Sequence, residues 1–145
     1  MLDASDREQV ELVRLSGMPY DEQLNRLRGV WRKYGQPSIL AEYNSMGGPL
    51  VERLQGEGLP VTGFTTTNSS KHDIITALEG AFDRKEIKIL DEPTQVMELS
   101  SFERKERAGL PSYSAPDGMH DDTVIALALA WWAATGGASW YIGDI

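Results

Sequence analysis

The chain has 145 residues, enough for one domain with a single sizeable core and too few for two. Its 14 Lys+Arg against 22 Asp+Glu give a net charge of −8. That excludes a domain that coats nucleic acid by bulk positive charge, but not an enzyme that brings carboxylates to metal ions. With 41% hydrophobic and 25% charged residues the composition is that of a folded soluble protein rather than a disordered acidic tail. The lack of cysteine removes disulfides, thiolate zinc sites and cysteine nucleophiles together, and suits a reducing compartment. Asp3, Asp6 and Glu8 stand where a signal peptide needs a basic start, and the longest apolar run, Val124 to Ala134, is too short to span a membrane. A cytoplasmic single domain is expected.

Glu8 to Leu15 alternates polar and apolar residues and predicts a strand, broken by Ser16-Gly17-Met18-Pro19. From Tyr20, the helical spacing of Leu24, Leu27, Val30 and Trp31 predicts an amphipathic helix. Asp21 and Glu22 in its first turn and Arg32 and Lys33 in its last suit the macrodipole, and Gly35 and Pro37 end it. Ser38 to Ala41 reads as a buried strand that Glu42 closes. Pro49 fits the first position of a helix running to about Gln55.

Leu59 to Phe64 predicts a third strand, after which the tract Thr65-Thr66-Thr67-Asn68-Ser69-Ser70 offers N-caps for a helix from about Lys71 to Asp83. Ile74, Ile75, Leu78 and Phe82 are expected on that helix's buried face. Glu86 to Leu90 reads as a short strand, and Pro93 opens a helix with Val96, Met97 and Leu99 packed inward. Phe102 to Tyr113, charged and interrupted by Gly109 and Pro111, reads as an irregular hairpin or exposed loop. Asp121 and Asp122 open a last helix that is apolar almost all round and is therefore expected between layers. Alternating strands and helices predict an α/β fold with a largely parallel sheet after an antiparallel start.

The position of two acidic features gives them chemical interest. Glu42 lies at the carboxyl end of a buried strand, the edge at which open α/β sheets place functional groups. Asp121 and Asp122 begin a helix that must pack on that sheet. If the two ends meet, Glu42 and the Asp pair form a carboxylate cluster suited to Mg²⁺ or Mn²⁺, hard ions that prefer oxygen ligands. Two such ions can activate water and stabilise the leaving oxygen of a phosphodiester. The alternative is an ordinary N-cap and a solvated strand-end Glu. His120 is either a surface turn residue or a group that positions water beside the cluster; His72, near a helix start, is expected to be exposed.

The tract that contains Asn68 and ends at Lys71 either caps a helix or offers donors to a phosphate backbone. Arg104, Lys105 and Arg107 form a small basic cluster that is either a DNA contact or, with Glu103 and Glu106 interleaved, a solvated face. Trp131, Trp132, Trp140 and Tyr141 read as core and tail anchors. Met46-Gly47-Gly48-Pro49 lacks the Lys-Ser/Thr ending of a nucleotide phosphate loop, and no Gly-x-Ser-x-Gly elbow is present.

Four stretches together resemble the C-terminal nuclease domain of phage terminase large subunits. They are Leu40-Ala41-Glu42-Tyr43-Asn44-Ser45-Met46-Gly47-Gly48-Pro49, Gly63-Phe64-Thr65-Thr66-Thr67-Asn68-Ser69-Ser70-Lys71, Tyr113-Ser114-Ala115-Pro116, and Gly118-Met119-His120-Asp121-Asp122-Thr123-Val124-Ile125-Ala126-Leu127-Ala128-Leu129-Ala130. The resemblance implies an RNase H-like mixed sheet flanked by helices, and cleavage of concatemeric double-stranded DNA with two Mg²⁺ or Mn²⁺ ions. It implies that Glu42 is the acidic residue closing the central strand and that Asp121 and Asp122, with Asp122 favoured, supply the acid at the last helix. His120 would assist, and Lys71, Asn68, Arg104 and Lys105 would meet DNA. The implied partners are DNA, the terminase ATPase domain or an upstream fragment, the portal and the small terminase subunit, in the cytoplasm of a bacterial host. Members of that family begin with an Asp-bearing strand resembling Asp-x-Gly, which nothing before Glu8 matches. The expectation is therefore a domain truncated at its N-terminus, with Asp3 a turn residue. A nuclease-inactive module that positions DNA or a protein within a packaging motor is the second reading.

Overall fold

A computed structural model describes residues 1–44, 48–105, 112–116 and 118–137, with the side chains of Arg104 and Lys105 excepted. The turn at 45–47 and residues Arg107, Gly109, Pro111, Trp140 and Tyr141 lie outside the described residues. In chain order the elements are β1 (Leu2–Asp3), β2 (Glu8–Gln9), α1 (Tyr20–Lys33), β3 (Ile39–Glu42), α2 (Gly48–Gly56), β4 (Val61–Phe64), α3 (Asn68–Asp83), α4 (Pro93–Ser101), β5 (Glu103–Lys105), β6 (Ser112–Ser114) and α5 (Asp122–Ala134). The fold is α/β.

The central pair is parallel, β3 beside β4 in the register Ile39↔Val61 to Glu42↔Phe64, with α2 as the crossover. Because side chains alternate across a strand, each face of this pair serves a different core. Ile39, Ala41 and Val61 pack with Leu24, Val51, Leu54 and Leu59 beneath α1 and α2. Leu40 and Phe64 turn the other way, to Ile74, Ile75, Leu78, Val124, Leu127, Ala128 and Trp131 of α3 and α5. The expected single mixed sheet is not what the described residues form: β1–β2 and β5–β6 are separate antiparallel pairs.

Two predicted strands are shorter than their patterns suggest. Of Glu8 to Leu15 only Glu8 and Gln9 are ladder residues opposite β1, with Val10 N donating to Met1 O at 3.0 Å just beyond them, and 86–90 contributes a single parallel bridge from Lys88 to Glu8. Asp3 is a turn residue, its Oδ1 accepting from the backbone N–H groups of Ser5 at 2.8 Å and Asp6 at 3.2 Å. Of the segment Phe102 to Tyr113, read as an irregular hairpin or exposed loop, the described residues form an antiparallel pair, β5–β6, and Tyr113 is buried in the core rather than exposed.

Helix α3 starts one turn earlier than its apolar pattern predicts. Thr67 and Ser70 form a reciprocal capping box: Ser70 N donates to Thr67 Oγ1 at 3.1 Å and Thr67 N to Ser70 Oγ at 2.8 Å. The buried stripe of α3 runs through Ala81, so Phe82 falls at its margin and is 37% exposed, against expectation.

Helix α4 presents the opposite face from the one its apolar residues suggest. Val96 and Met97 are exposed, whereas Gln95 and Glu98 are buried; Leu99 alone of the expected trio packs against the core. Polar side chains are tolerated inside only when fully bonded, and these are. Gln9 Nε2 donates to Gln95 Oε1 at 2.8 Å and Gln95 Nε2 returns the bond to Gln9 Oε1 at 2.7 Å, an oxygen that also accepts from Leu90 N at 3.1 Å. Glu92 caps the helix by accepting from Gln95 N at 2.7 Å, which holds its carboxyl below the usual carboxylate range. Replacing Gln95 by alanine strands the Gln9 amide in the core and is expected to cost about 1–3 kcal/mol, read as a lower thermal midpoint; an unchanged midpoint would show that Gln9 finds another partner.

Candidate functional site

The alternation that sends Leu40 to the α3–α5 core also turns Glu42 to that face, one step beyond the last buried residue and at the carboxyl edge of the parallel pair. There its half-buried side chain lines the same cavity as the start of α5. That helix is apolar over most of its length and buries Thr123, Val124, Leu127, Ala128, Leu129 and Trp131, so its polar charge is confined to the N-terminal end. Asp121 occupies the N-cap position and Asp122 the first helical one. Negative charge here is favoured by the helix dipole.

Leu40, Glu42, Thr66, Lys71, Asp121 and Asp122 line a single open cavity of about 340 Å³, floored by Ile125, Ala126 and Leu129 of α5. Glu42 and the Asp pair, widely separated in sequence, thus share one cavity. Lys71 Nζ bonds Asp121 Oδ2 at 3.0 Å and lies 5.9 Å from the centroid of the Phe102 ring. A cation in the first turn of a helix opposes the dipole, and Asp121 offsets that charge. Among the described residues the Glu42 and Asp122 carboxylates have no hydrogen-bond or ion-pair partner. Nor, among the described residues, do three His, Asp or Glu side chains lie close enough together to hold an ion by themselves. The oxygen donor set nevertheless suits a hard divalent cation, which keeps several waters and often takes only one or two carboxylates from the protein.

His120 directly precedes Asp121, is exposed, and does not line the cavity. Asn68 is exposed at the first residue of α3. Arg104 and Lys105 lie on β5, with side chains outside the described residues. His72, expected to be exposed, is half-buried: its Nδ1 lies 3.0 Å from the Tyr113 hydroxyl, with ring centroids 5.5 Å apart, which fastens the β5–β6 hairpin to α3. Tyr43, next to Glu42, folds over Gly63 and donates its hydroxyl to Glu52 at 3.1 Å, which raises the phenol above its ordinary pKa. A Cβ on Gly63 would sit 3.0 Å from the Tyr43 side chain, so the position favours glycine.

Two residues at the site carry no catalytic motif of their own. Thr66 lines the cavity with a buried Oγ1 that has no hydrogen-bond partner among the described residues. Glu98 of α4 lies behind the cavity at the start of α5, where it accepts from Thr123. The available signal for Glu98 was the i, i+3 spacing of Gln95 and Glu98, a polar stripe at helical period.

No protein-family model matches the chain. It is 28% identical over 122 residues to the terminase large subunit of Thermus phage G20c, covering 83% of this chain and 25% of that protein. The chain thus spans about a quarter of the length of the curated relative it matches. The large terminase nuclease of thermophilic phage G20c with bound magnesium superposes with a TM-score of 0.82 at 26% identity, over 90% of this chain and 70% of that one. The structure of the same nuclease with bound cobalt gives the same values. The large terminase nuclease domain of Thermus phage P74-26 superposes with a TM-score of 0.79 at 26% identity, over 90% and 68% of the two chains. In sequence and in fold, the chain is homologous to the large terminase nuclease domains of Thermus phages.

Proposed function

We propose that this chain is the metal-dependent nuclease domain of a phage DNA-packaging terminase, RNase H-like in fold, hydrolysing phosphodiester bonds of double-stranded DNA. The observation that carries this reading is the convergence of Glu42 from the end of β3 and Asp121–Asp122 from the start of α5 on one open cavity beside Lys71. Homologues solved with magnesium and with cobalt support a divalent ion.

In this reading Glu42 and Asp122 hold Mg²⁺ or Mn²⁺, and Asp121 joins them when Lys71 turns to a phosphate. Water, substrate oxygens or a carboxylate from outside the described residues complete the donor set. Bound there, a pair of ions supplies an activated water and stabilises the leaving oxygen. Lys71 neutralises the phosphate and Thr66 Oγ1 donates to it. Asn68, Arg104 and Lys105 add further contacts to the DNA backbone in this reading. His120 orients water at the rim. The ATPase domain, portal and small terminase subunit are the partners in this reading, in the cytoplasm of the bacterial host. A grip limited to these few cations fits the net charge of −8.

The test is metal titration with DNA cleavage alongside. Mn²⁺ at a hundred times its dissociation constant stabilises the native state by about 2.7 kcal/mol. For a chain of this size that raises the melting temperature by roughly 5–10 °C. Mn²⁺-dependent nicking of supercoiled plasmid by the same protein supports the assignment, and no thermal response at millimolar metal together with no nicking overturns it. Lys71→Met separates the two ligands. With its cation gone, Asp121 is free for metal and the Mn²⁺ midpoint falls, while DNA affinity drops and the salt slope of binding decreases by about 1. If neither quantity moves, Lys71 has neither role.

A further inference from the structure

Helix α5 begins on two carboxylates, yet neither caps it. Asp121 holds the N-cap position, where Asp ordinarily accepts from the N–H two or three residues on. Here φ −128° and ψ 14° depart from the extended cap conformation, no side-chain cap bond forms, and the carboxylate takes Lys71 instead. The free N–H of Thr123 is satisfied from another helix. It donates to Glu98 Oε2 at 2.8 Å and the Thr123 hydroxyl donates to the same oxygen at 2.5 Å. Glu98 is 1% exposed and Thr123 3%, so both bonds are made away from water. A buried carboxylate facing a helix N-terminus also meets the positive end of the dipole.

We infer that Glu98 is a positioning residue: by capping α5 from α4 it releases Asp121 and Asp122 from their helix and leaves both carboxylates facing the cavity. The inference rests on the assignment of those carboxylates to a metal under Proposed function. Without Glu98, the nearest acceptor for the stranded N–H is Asp121 itself. It would turn back onto the helix, leave Lys71, and withdraw from the cavity.

The effect of Asp121→Ala on the melting temperature of the metal-free protein, in the wild-type background and in Glu98→Ala, tests this directly. In the wild type Asp121 is not a cap; in Glu98→Ala it becomes one, so the same substitution is expected to cost roughly 2–4 °C more. Glu98→Ala is also expected to raise the Mn²⁺ midpoint about tenfold, the usual scale for a residue behind a ligand. Thr123→Ser, which keeps both bonds, should behave as wild type in each assay. If Glu98→Ala does not fold, Glu98→Gln keeps an acceptor for Thr123 N and takes its place in both comparisons, with smaller shifts in the same directions. An equal Asp121→Ala cost in the two backgrounds overturns the inference, because a merely structural Glu98 would lower stability without changing what Asp121 does. A wild type that ignores Mn²⁺ overturns the metal assignment instead, and the metal-free comparison still decides the role of Glu98.

Discussion

Glu42→Ala and Asp122→Ala are each expected to reduce Mn²⁺-dependent plasmid cleavage by about 100-fold or more and to abolish the metal-induced rise in melting temperature. A bound ion contributes several kcal/mol to the charge developing at a phosphodiester, and each 1.4 kcal/mol lost is about a factor of ten in rate. The metal-free proteins should melt close to the wild type. Glu42 is at the rim of its strand and Asp122 is exposed on the first turn of α5, and neither carboxylate is bonded to a described residue. Removing either leaves no buried partner unsatisfied, so activity and stability should separate. Asp121→Ala is the informative contrast: its carboxylate is shared with Lys71, and its loss should leave a stranded cation at the cavity and a smaller defect in metal binding. Equal cleavage by wild type, Glu42→Ala and Asp122→Ala would remove the site from this cavity.

Trp131→Ala is expected to give the largest loss of stability. Trp131 is 3% exposed in the α3–α5 core, and Arg7 lies 5.7 Å from its ring centroid. Truncating a buried Trp costs about 3–5 kcal/mol through lost transfer energy and the cavity left behind. That is roughly 10 °C or more in melting temperature for a chain of this length. Trp131 is about two and a half turns beyond Asp122 on the same helix, so the variant should lose Mn²⁺ response in proportion to unfolding rather than before it. Val96→Ala, on the exposed face of α4, is the control and should move the midpoint little. A Trp131→Ala protein that melts with the wild type would contradict the placement of α5 in the core.

What the sequence made legible was whatever rests on a local period or a local cap. The end charges and apolar stripe of α1, the start of α4 at Pro93 and the start of α5 at Asp122 are all encoded within a few residues, and all are found. Glu42 and the Asp pair could be singled out because strand ends and helix starts can be read locally. Their meeting in one cavity could not, since it depends on how α5 lies across β3. The α4 face shows the limit best. Val96 and Met97 look like core residues by hydrophobicity, but Gln95 and Glu98 win the interior through partners at Gln9 and Thr123, remote along the chain. His72 is half-buried rather than exposed for the same reason: its partner, Tyr113, comes from a hairpin whose docking no pattern near His72 announces. Strand lengths failed differently. Alternation from Glu8 to Leu15 marks what could pair, while the extent of pairing is set by the neighbour, and β1 supplies only two residues.

The reciprocal bond between Gln9 and Gln95 has a consequence for the conditions under which the molecule keeps its shape. Other ties between distant parts of the chain, such as Lys33 with Glu11 and Arg53 with Asp21, are exposed ion pairs that counterions weaken and acid abolishes. Two buried amides carry no net charge and do not titrate. As ionic strength rises or pH falls, the peripheral ties should loosen first, while β2 stays clasped to α4. Since α4 also holds the start of α5 through Glu98, the frame behind the acidic cavity is anchored by a neutral clasp in an otherwise strongly anionic protein.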